Sequence, residues 1–204
     1  KRWPWLPEEV ELVKLGWVAR LQSGVTVDSS RTHSPDDMEY PYLRVANVQG
    51  EKIDLSEIKT IRVSPAMAKR SRLLYGDVVM TEANGNPDNL GRGCVWRGEV
   101  PNMIHQNHVF AIRVNREVLV PEYLSLVLAS EHGRRYFRFT SSQVGIATTS
   151  SSKVLAMPIP KIDLRRQMEI SSEHEKVFGY FVSLRDSVDR QLSLLAERRR
   201  SLIT

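Results

Sequence analysis

Four consecutive hydrogen-bonding side chains, His105-Gln106-Asn107-His108, stand at the entrance to an apolar run from Val109 to Val114. Upstream, Thr81-Glu82-Ala83-Asn84-Gly85-Asn86-Pro87-Asp88-Asn89 is dense in the residues that favour turns. A tight turn at Gly76-Asp77 launches the strand pattern Val78-Val79-Met80, and Gly93-Cys94-Val95-Trp96 supplies a second strand. Together these describe a rigid sheet presenting a polar surface on the scale of a nucleic-acid base. A third polar stretch, TSSQVGIATTSSSK from Thr140 to Lys153, offers compact donors and acceptors at Gln143, Thr148, Thr149 and Ser150. It lies between ordered elements, with Val144 and Ile146 to anchor it, so it reads as a ligand-contacting loop rather than a flexible linker.

Catalytic chemistry does not assemble from these residues. A flipped-base methyltransferase loop needs Asn or Asp, two prolines and an aromatic; Asn86-Pro87-Asp88-Asn89 lacks the second proline and the aromatic. No strand, Gly-rich turn and helix unit for a nucleotide appears, and Gly91-Arg92-Gly93 alone is a weak match. A metal nuclease drawn from Pro35-Asp36 and Glu57-Ile58-Lys59 would need both pieces on one Mg²⁺, a short match that arises often by chance. His105 and His108 imitate a His-Asn-His centre without the hairpin-plus-helix frame it needs, and no serine elbow is present. The reading is a recognition module with no cofactor, no metal and no catalytic residue.

The elements that must position the polar loops follow from pattern. Lys1 to Pro7, with Trp3, Pro4, Trp5 and Pro7, is proline-broken and expected to be extended. Glu11 to Val13 reads as a strand, and Leu15 to Leu21 as a helix capped at Ser23-Gly24. Val25 to Glu39, with Asp28, Ser29, Ser30, Arg31 and His33, reads as a surface loop. Tyr42 to Val48 and Ile58 to Val63 read as strands, Arg44 and Asn47 sitting within the first. Ser64-Pro65 opens a helix carrying Lys69, Arg70 and Arg72, cations suited to phosphates. Pro121 to Phe139 reads as helix interrupted at Gly133, with Tyr136 and Phe137 in the core. Met157-Pro158-Ile159-Pro160 reads as an extended hinge closing the globular part.

From Asp163 onward only Gly179 disturbs a helical pattern. Val177, Phe181, Leu184, Val188, Leu192, Leu195 and Leu202 recur at three- and four-residue steps, a coiled-coil seam with a stutter near Leu192. About forty helical residues span roughly 60 Å, too long to pack only on a domain of this size, so the stripe needs a partner helix. The expected architecture is α+β, a mixed domain over residues 1–160 followed by a long dimerisation helix over 161–204.

Bulk composition agrees. The 204 residues carry Lys plus Arg 29 against Asp plus Glu 24, a net +5 whose sign suits a polyanionic partner. Cys94 is the single cysteine, which excludes an intrachain disulfide and a cysteine-based zinc site and fits a reducing cytoplasm. No apolar run approaches a membrane span, so no membrane partner is expected.

These pieces together resemble one half of the specificity (S) subunit of a Type I restriction–modification system. The residues that carry the resemblance begin with Leu6-Pro7-Glu8, Val13-Lys14-Leu15-Gly16 and Gln22-Ser23-Gly24, followed by Pro41-Tyr42-Leu43-Arg44 and Asn47-Val48. Next come Leu74-Tyr75-Gly76-Asp77-Val78-Val79, the polar loop, and His105-Gln106-Asn107-His108-Val109. Pro158-Ile159-Pro160, Arg166-Gln167-Met168-Glu169-Ile170 and Leu195-Ala196-Glu197-Arg198-Arg199-Arg200-Ser201-Leu202-Ile203-Thr204 close the series. Two departures stand out. Leu164-Arg165-Arg166 lacks the acidic residue usual before the glutamine, and complete family members carry two such halves.

The resemblance implies a target recognition domain reading double-stranded DNA through the major groove. It also implies a helix pairing antiparallel with a second half or a second copy, and the company of adenine methyltransferase subunits and a restriction (motor-nuclease) subunit. Localisation would be cytoplasmic and nucleoid-associated. On that footing the physical pairing rules, amide with adenine and Arg with guanine, select Gln106, Asn107 and Gln143 as base readers, with Asn84, Asn86 and Arg92 behind them. Arg44 joins the DNA-binding set; Lys69, Arg70, Arg72 and the hydroxyls of Thr148 and Thr149 would position phosphates. The rival expectations are a protein-interaction module that dimerises through its coiled coil, and a Mg²⁺-dependent nuclease.

Overall fold

The computed structural model describes residues 3–28, 34–49, 52–142 and 146–203. Among these, short strands and helices follow in the order β1 (Leu12–Lys14), α1 (Leu15–Val18), β2 (Ala19–Gln22), β3 (Met38–Leu43), β4 (Val48–Gln49), β5 (Lys52–Ile53), β6 (Lys59–Val63) and α2 (Pro65–Ser71). Then come β7 (Val78–Thr81), β8 (Ala83–Asn84), β9 (Gly93–Val95), β10 (Ile104–His105), β11 (Val109–Val114), α3 (Pro121–Ala129) and α4 (Glu131–Thr140). β12 (Ala147–Thr148), α5 (Ser151–Leu155), β13 (Pro158–Pro160) and α6 (Leu164–Ile203) complete the series. The expected α+β class with a long terminal helix is what the chain adopts.

The central sheet has strand order β2-β11-β7-β9, all neighbours antiparallel. Its two inner strands explain why the sequence there is continuously apolar rather than alternating. Side chains of a strand point to opposite faces in turn. Val78 and Met80 of β7, with Phe110 and Ile112 of β11, enter one core beneath α3 and α4 that includes Leu124, Leu128 and Phe137. Val79, Val109 and Ala111 enter a second core on the other face with Leu43, Leu73, Trp96 and Met103. Both faces are covered, so both registers must be apolar. A smaller sheet, β10-β3-β6, packs with α2 around Val25, Tyr42, Val63, Ala68 and Ile104.

Several local expectations give way to tertiary contacts. Helical spacing from Leu15 to Leu21 yields one helical turn, because Ala19 to Gln22 instead pair with Val114 to Ala111 as an edge of the central sheet. Gly24 is not a helix cap. A Cβ there would lie 2.1 Å from the His105 carbonyl oxygen, so the glycine admits a close approach of two backbones. The strand begun at Met38 stops at Leu43, and Asn47 turns inward. Its Oδ1 accepts from the Arg44 N–H at 2.9 Å and its Nδ2 donates to the Asp54 carbonyl at 2.7 Å.

The break between α3 and α4 falls at Ser130, whose Oγ accepts the Gly133 N–H at 3.3 Å. Tyr136 and Phe137 are buried, as their core assignment requires. Trp3 to Pro7 forms a turn rather than an extended lead-in. Leu6 donates to the Trp3 carbonyl at 3.1 Å, and the Trp3 ring packs 5.2 Å from that of Tyr136. Met157 to Pro160 is extended as expected, and it is also paired: β13 runs antiparallel to β1, Val13 opposite Ile159.

The start of α6 is fastened to the body by a buried amide, with Ile170 packed against the central core and Glu175 3.6 Å from Arg97. Gln167 accepts the Val120 N–H at 2.8 Å and donates to the carbonyls of Val118 at 3.0 Å and Ile162 at 2.8 Å. The side chain thereby fixes the entry of α3 and the entry of α6 against each other. Beyond that anchor the helix leaves the body, and Val177, Phe181, Leu184, Val188, Leu192 and Leu195 are all exposed. The side chain of Leu202 lies outside the described residues.

Candidate nucleic-acid interface

One end of the central sheet gathers the polar loops. β7 ends at Thr81, β11 starts opposite it at Val109, and β9 starts at Gly93 opposite Met80. The loop between β7 and β9 and the turn before β11 therefore emerge side by side. Glu82 ties them to a third segment. Its N–H donates to the His108 carbonyl at 2.9 Å, and its own carbonyl accepts the Thr149 N–H at 2.9 Å. Its Oε2 lies 2.7 Å from His108 Nδ1. β12 lies on β8, with Ala147 opposite Asn84 and Thr148 opposite Ala83.

The turn carrying Gln106 and Asn107 is pinned through its backbone on every side. Gln106 donates its N–H to the Leu43 carbonyl at 2.9 Å, and Asn107 to the Val25 carbonyl at 2.9 Å. Val25 donates to the His105 carbonyl at 2.8 Å, and the Val109 N–H closes the turn on the Gln106 carbonyl at 2.9 Å. His105 is fully buried, and its Nδ1–H donates to the Val109 carbonyl at 2.6 Å, fixing the tautomer. Burial pushes its pKa below the ordinary 6.5. Among the described residues no hydrogen bond engages the side-chain amides of Gln106 or Asn107, both half-buried at the rim. The main chain is spent and the amides are not.

Asn84 and Asn86 are used differently. Asn84 Oδ1 accepts the Asn86 N–H at 2.9 Å, and Asn86 Oδ1 accepts the Asp88 N–H at 3.0 Å. These side chains build the loop, and reading adenine bidentately would require both ends of an amide. Arg92 is half-buried beside Gly91, where φ is +85° and a Cβ would meet the Phe137 ring at 2.0 Å. Arg138 reaches Asp88 at 3.3 Å and holds the loop to α4.

Lys69, Arg70 and Arg72 are exposed around the end of α2 while the backbone there is anchored: Gln22 Nε2 donates to the Arg70 carbonyl at 3.1 Å. Arg72 bridges to Ile104, one residue before His105, so these cations flank the Gln106-Asn107 turn. Arg44 follows Leu43 directly, and its Nη2 pairs with Glu57 at 3.0 Å, which holds the Glu57 carboxyl below the usual range. Thr148 is half-buried at the rim, whereas Thr149 is drawn inside by the bond to Glu82, and its buried hydroxyl does not suit a phosphate contact. Gln143 lies outside the described residues, as do Ser29, Ser30, Arg31 and His33.

The rim thus brings together Gln106, Asn107, Asn84, Asn86, Arg92 and Thr148, with the α2 cations and Arg44 joined through neighbouring strands. Sequence reasoning missed Glu82, Gln167 and Asp77. Asp77 is buried and receives Arg113 through both oxygens at 2.8 and 2.7 Å, while also accepting the Leu74 N–H at 2.8 Å. Each had a signal: an acid in an amide-rich loop, an amide on an apolar helix face, an acid after a turn glycine. Among the described residues no three His, Cys, Asp or Glu gather to hold a metal ion. No described helix is long and apolar enough to cross a membrane.

No protein-family model matches the chain. Curated relatives do. The chain is 19% identical over 201 residues to a putative type I restriction enzyme specificity subunit, MjaX, of Methanocaldococcus jannaschii, covering 97% of this chain and 45% of the relative. It is 24% identical over 170 residues to the EcoKI specificity subunit of Escherichia coli K12, covering 80% of this chain and 36% of that one. The fold is shared with solved structures: an HsdS subunit from Thermoanaerobacter tengcongensis superposes with a TM-score of 0.64 at 19% identity, over 89% of this chain and 45% of that one. A chain from a structure of type I R-M complex assembly gives 0.60 at 17% identity. The chain spans less than half the length of each of these relatives. Along most of its length it is similar to one half of a Type I restriction enzyme specificity subunit.

Proposed function

We propose that this chain is a DNA-recognition half of a Type I restriction–modification specificity subunit. It reads duplex DNA at the Glu82-centred rim and has no chemistry of its own. The observation that carries the reading is the turn at Gln106-Asn107: its backbone is fixed by four bonds while its two amides remain available. Preorganised amides of this kind pair with adenine edges without a large ordering cost. Lys69, Arg70, Arg72 and Arg44 supply phosphate attraction around that turn, Thr148 adds a hydroxyl, and Arg92 is placed to meet guanine. Gln143 belongs to the proposed reading set on sequence grounds. The whole subunit's partners in this proposal are adenine methyltransferase subunits, which modify the base, and a restriction subunit, which cleaves. A second half or second copy joins through α6, which holds the two reading surfaces a fixed distance apart.

The test is methylome sequencing of cells that produce this chain with the methyltransferase encoded beside it. Adenine methylation at a split, spaced motif is expected only when this chain is present. Gln106→Ala is expected to relax one position of that motif and to weaken DNA binding by about 1–3 kcal/mol. An unchanged motif and unchanged affinity for both Gln106→Ala and Asn107→Ala would remove the reading turn from the proposal. No DNA binding by soluble complex at low salt would overturn the proposal as a whole.

A further inference from the structure

His108 stands at the rim directly after the Gln106-Asn107 turn, with its side chain 55% exposed, yet its ring is held. Nδ1 lies 2.7 Å from Glu82 Oε2. A carboxylate oxygen can only accept, so Nδ1 carries the proton, and in the neutral ring Nε2 is then an acceptor. Among the described residues no hydrogen bond engages Nε2.

A carboxylate on a surface that meets a polyanion opposes the approach unless it does something there. Holding the loops together does not require it. The Glu82 main chain already does so, donating to the His108 carbonyl and accepting from the Thr149 N–H, both at 2.9 Å. An exposed pair such as Glu82 with His108 adds little to folding. What the carboxylate fixes is the ring: its orientation, and which of its two nitrogens is left bare.

We propose that His108 is a base-reading residue. Its Nε2 accepts from an exocyclic amino group in the major groove, adenine N6 or cytosine N4, and Glu82 is its positioning residue. The proposal rests on the rim being the DNA surface, and adds to that surface a reader and its orienter. Two residues of chain span at most about 7 Å, and successive base pairs lie about 3.4 Å apart. The base met by His108 therefore lies within about two steps of the one met by Gln106.

Two substitutions separate reading from holding. The amide nitrogen of Asn takes the place of Nδ1 and can still donate to Glu82, but nothing then stands where Nε2 was. The amide oxygen of Gln reaches the place of Nε2. With the neighbouring methyltransferase co-produced, methylome sequencing of His108→Asn is expected to show one motif position relaxed and the others kept. His108→Gln should show the wild-type motif. Glu82→Gln, whose amide oxygen still accepts from Nδ1, should keep the motif, whereas Glu82→Ala should blur the position that His108→Asn relaxes. Duplexes carrying the wild-type motif give a second reading. A base lacking its exocyclic amino group at that position should weaken binding by the wild-type complex about tenfold, and by the His108→Asn complex not at all. A wild-type motif from His108→Asn, equal relaxation in the Asn and Gln variants, or methylation reduced uniformly at every site would overturn the proposal and leave the rim as the DNA surface. No methylation with the wild-type chain and a competent partner would instead overturn the DNA reading on which the proposal rests.

Discussion

Leu124 and Leu195 are the same side chain with opposite surroundings. The first is fully buried under the central sheet, and the second is 61% exposed on α6. The contrast extends to the regions they belong to. In the body, alternate residues of β7 and β11 fill two cores, and the polar rim closes its main chain on Glu82, Val25 and Leu43. On α6 beyond its anchor, six seam residues from Val177 to Leu195 face solvent over several helical turns. Burying apolar surface stabilises by about 25 cal/mol per Å², so a body with closed cores is complete by itself and an exposed stripe is not. The body covers its own apolar surface, and the helix leaves its stripe uncovered.

That comparison is broken most severely at the junction of the two regions. Gln167→Leu removes three hydrogen bonds and strands the Val120 N–H and the carbonyls of Val118 and Ile162 in a buried site. A loss of about 4 kcal/mol in unfolding free energy is expected from urea titration of the body's near-ultraviolet signal. A change below about 1 kcal/mol would show that the helix is not fastened there.

The second effect belongs to the helix alone. Phe181→Asp with Leu184→Asp on the exposed seam should weaken self-association about a hundredfold or more, by sedimentation equilibrium, while shifting the urea midpoint of the body little. Equal damage to both quantities would mean that the seam packs on its own body. Intact association would move the interface to another face of α6.

Proton uptake separates the regions again. His105 and His132 are both held below the ordinary 6.5, chiefly by burial. His132 accepts the Trp5 indole N–H on Nδ1 at 3.0 Å and donates from Nε2 to the Pro158 carbonyl at 2.7 Å, so a second proton would meet a donor. With folded pKa values depressed, the unfolded chain takes up protons first as pH falls through about 6.5. The stability these neutral imidazoles contribute is present above that pH and lost progressively below it. Urea midpoints measured from about pH 7.5 to about pH 5 are expected to fall, and His132→Gln should flatten part of the slope. A midpoint independent of pH over this range would contradict both burials.

The strands Val78 to Thr81 and Val109 to Val114, the Ser64-Pro65 helix start and the long terminal helix were legible because pattern and local chemistry agree there. The one-turn helix at Leu15 and the strand that follows were not. Ala19 to Gln22 take their conformation from β11, some ninety residues away in sequence, which no local spacing reports. The polar turn was visible as His105-Gln106-Asn107-His108, because four polar groups before a buried strand are conspicuous. Its support was invisible for the opposite reason. Gly24 looks like a helix cap until the His105 carbonyl is placed against it, and Glu82 looks like one loop residue among many until three segments meet on its backbone.

The mildest test concerns the glycine inside α6. Gly179 is interior to the helix, and a Cβ built there meets nothing within 4 Å. Glycine costs about 1 kcal/mol relative to alanine at such a position, through the freedom it retains in the unfolded chain. Gly179→Ala is therefore expected to raise the protection of amides between Glu175 and Ser183 in hydrogen exchange by roughly fivefold, an effect of about 1 kcal/mol. Residue 179 lies about 160° around the helix from Val177 and Leu195, away from the seam, at about 100° per residue. Self-association should consequently be unchanged. Raised protection with weakened association would place a partner's backbone against the back of α6, and the division between a stripe that assembles and a face that meets water would have to be redrawn.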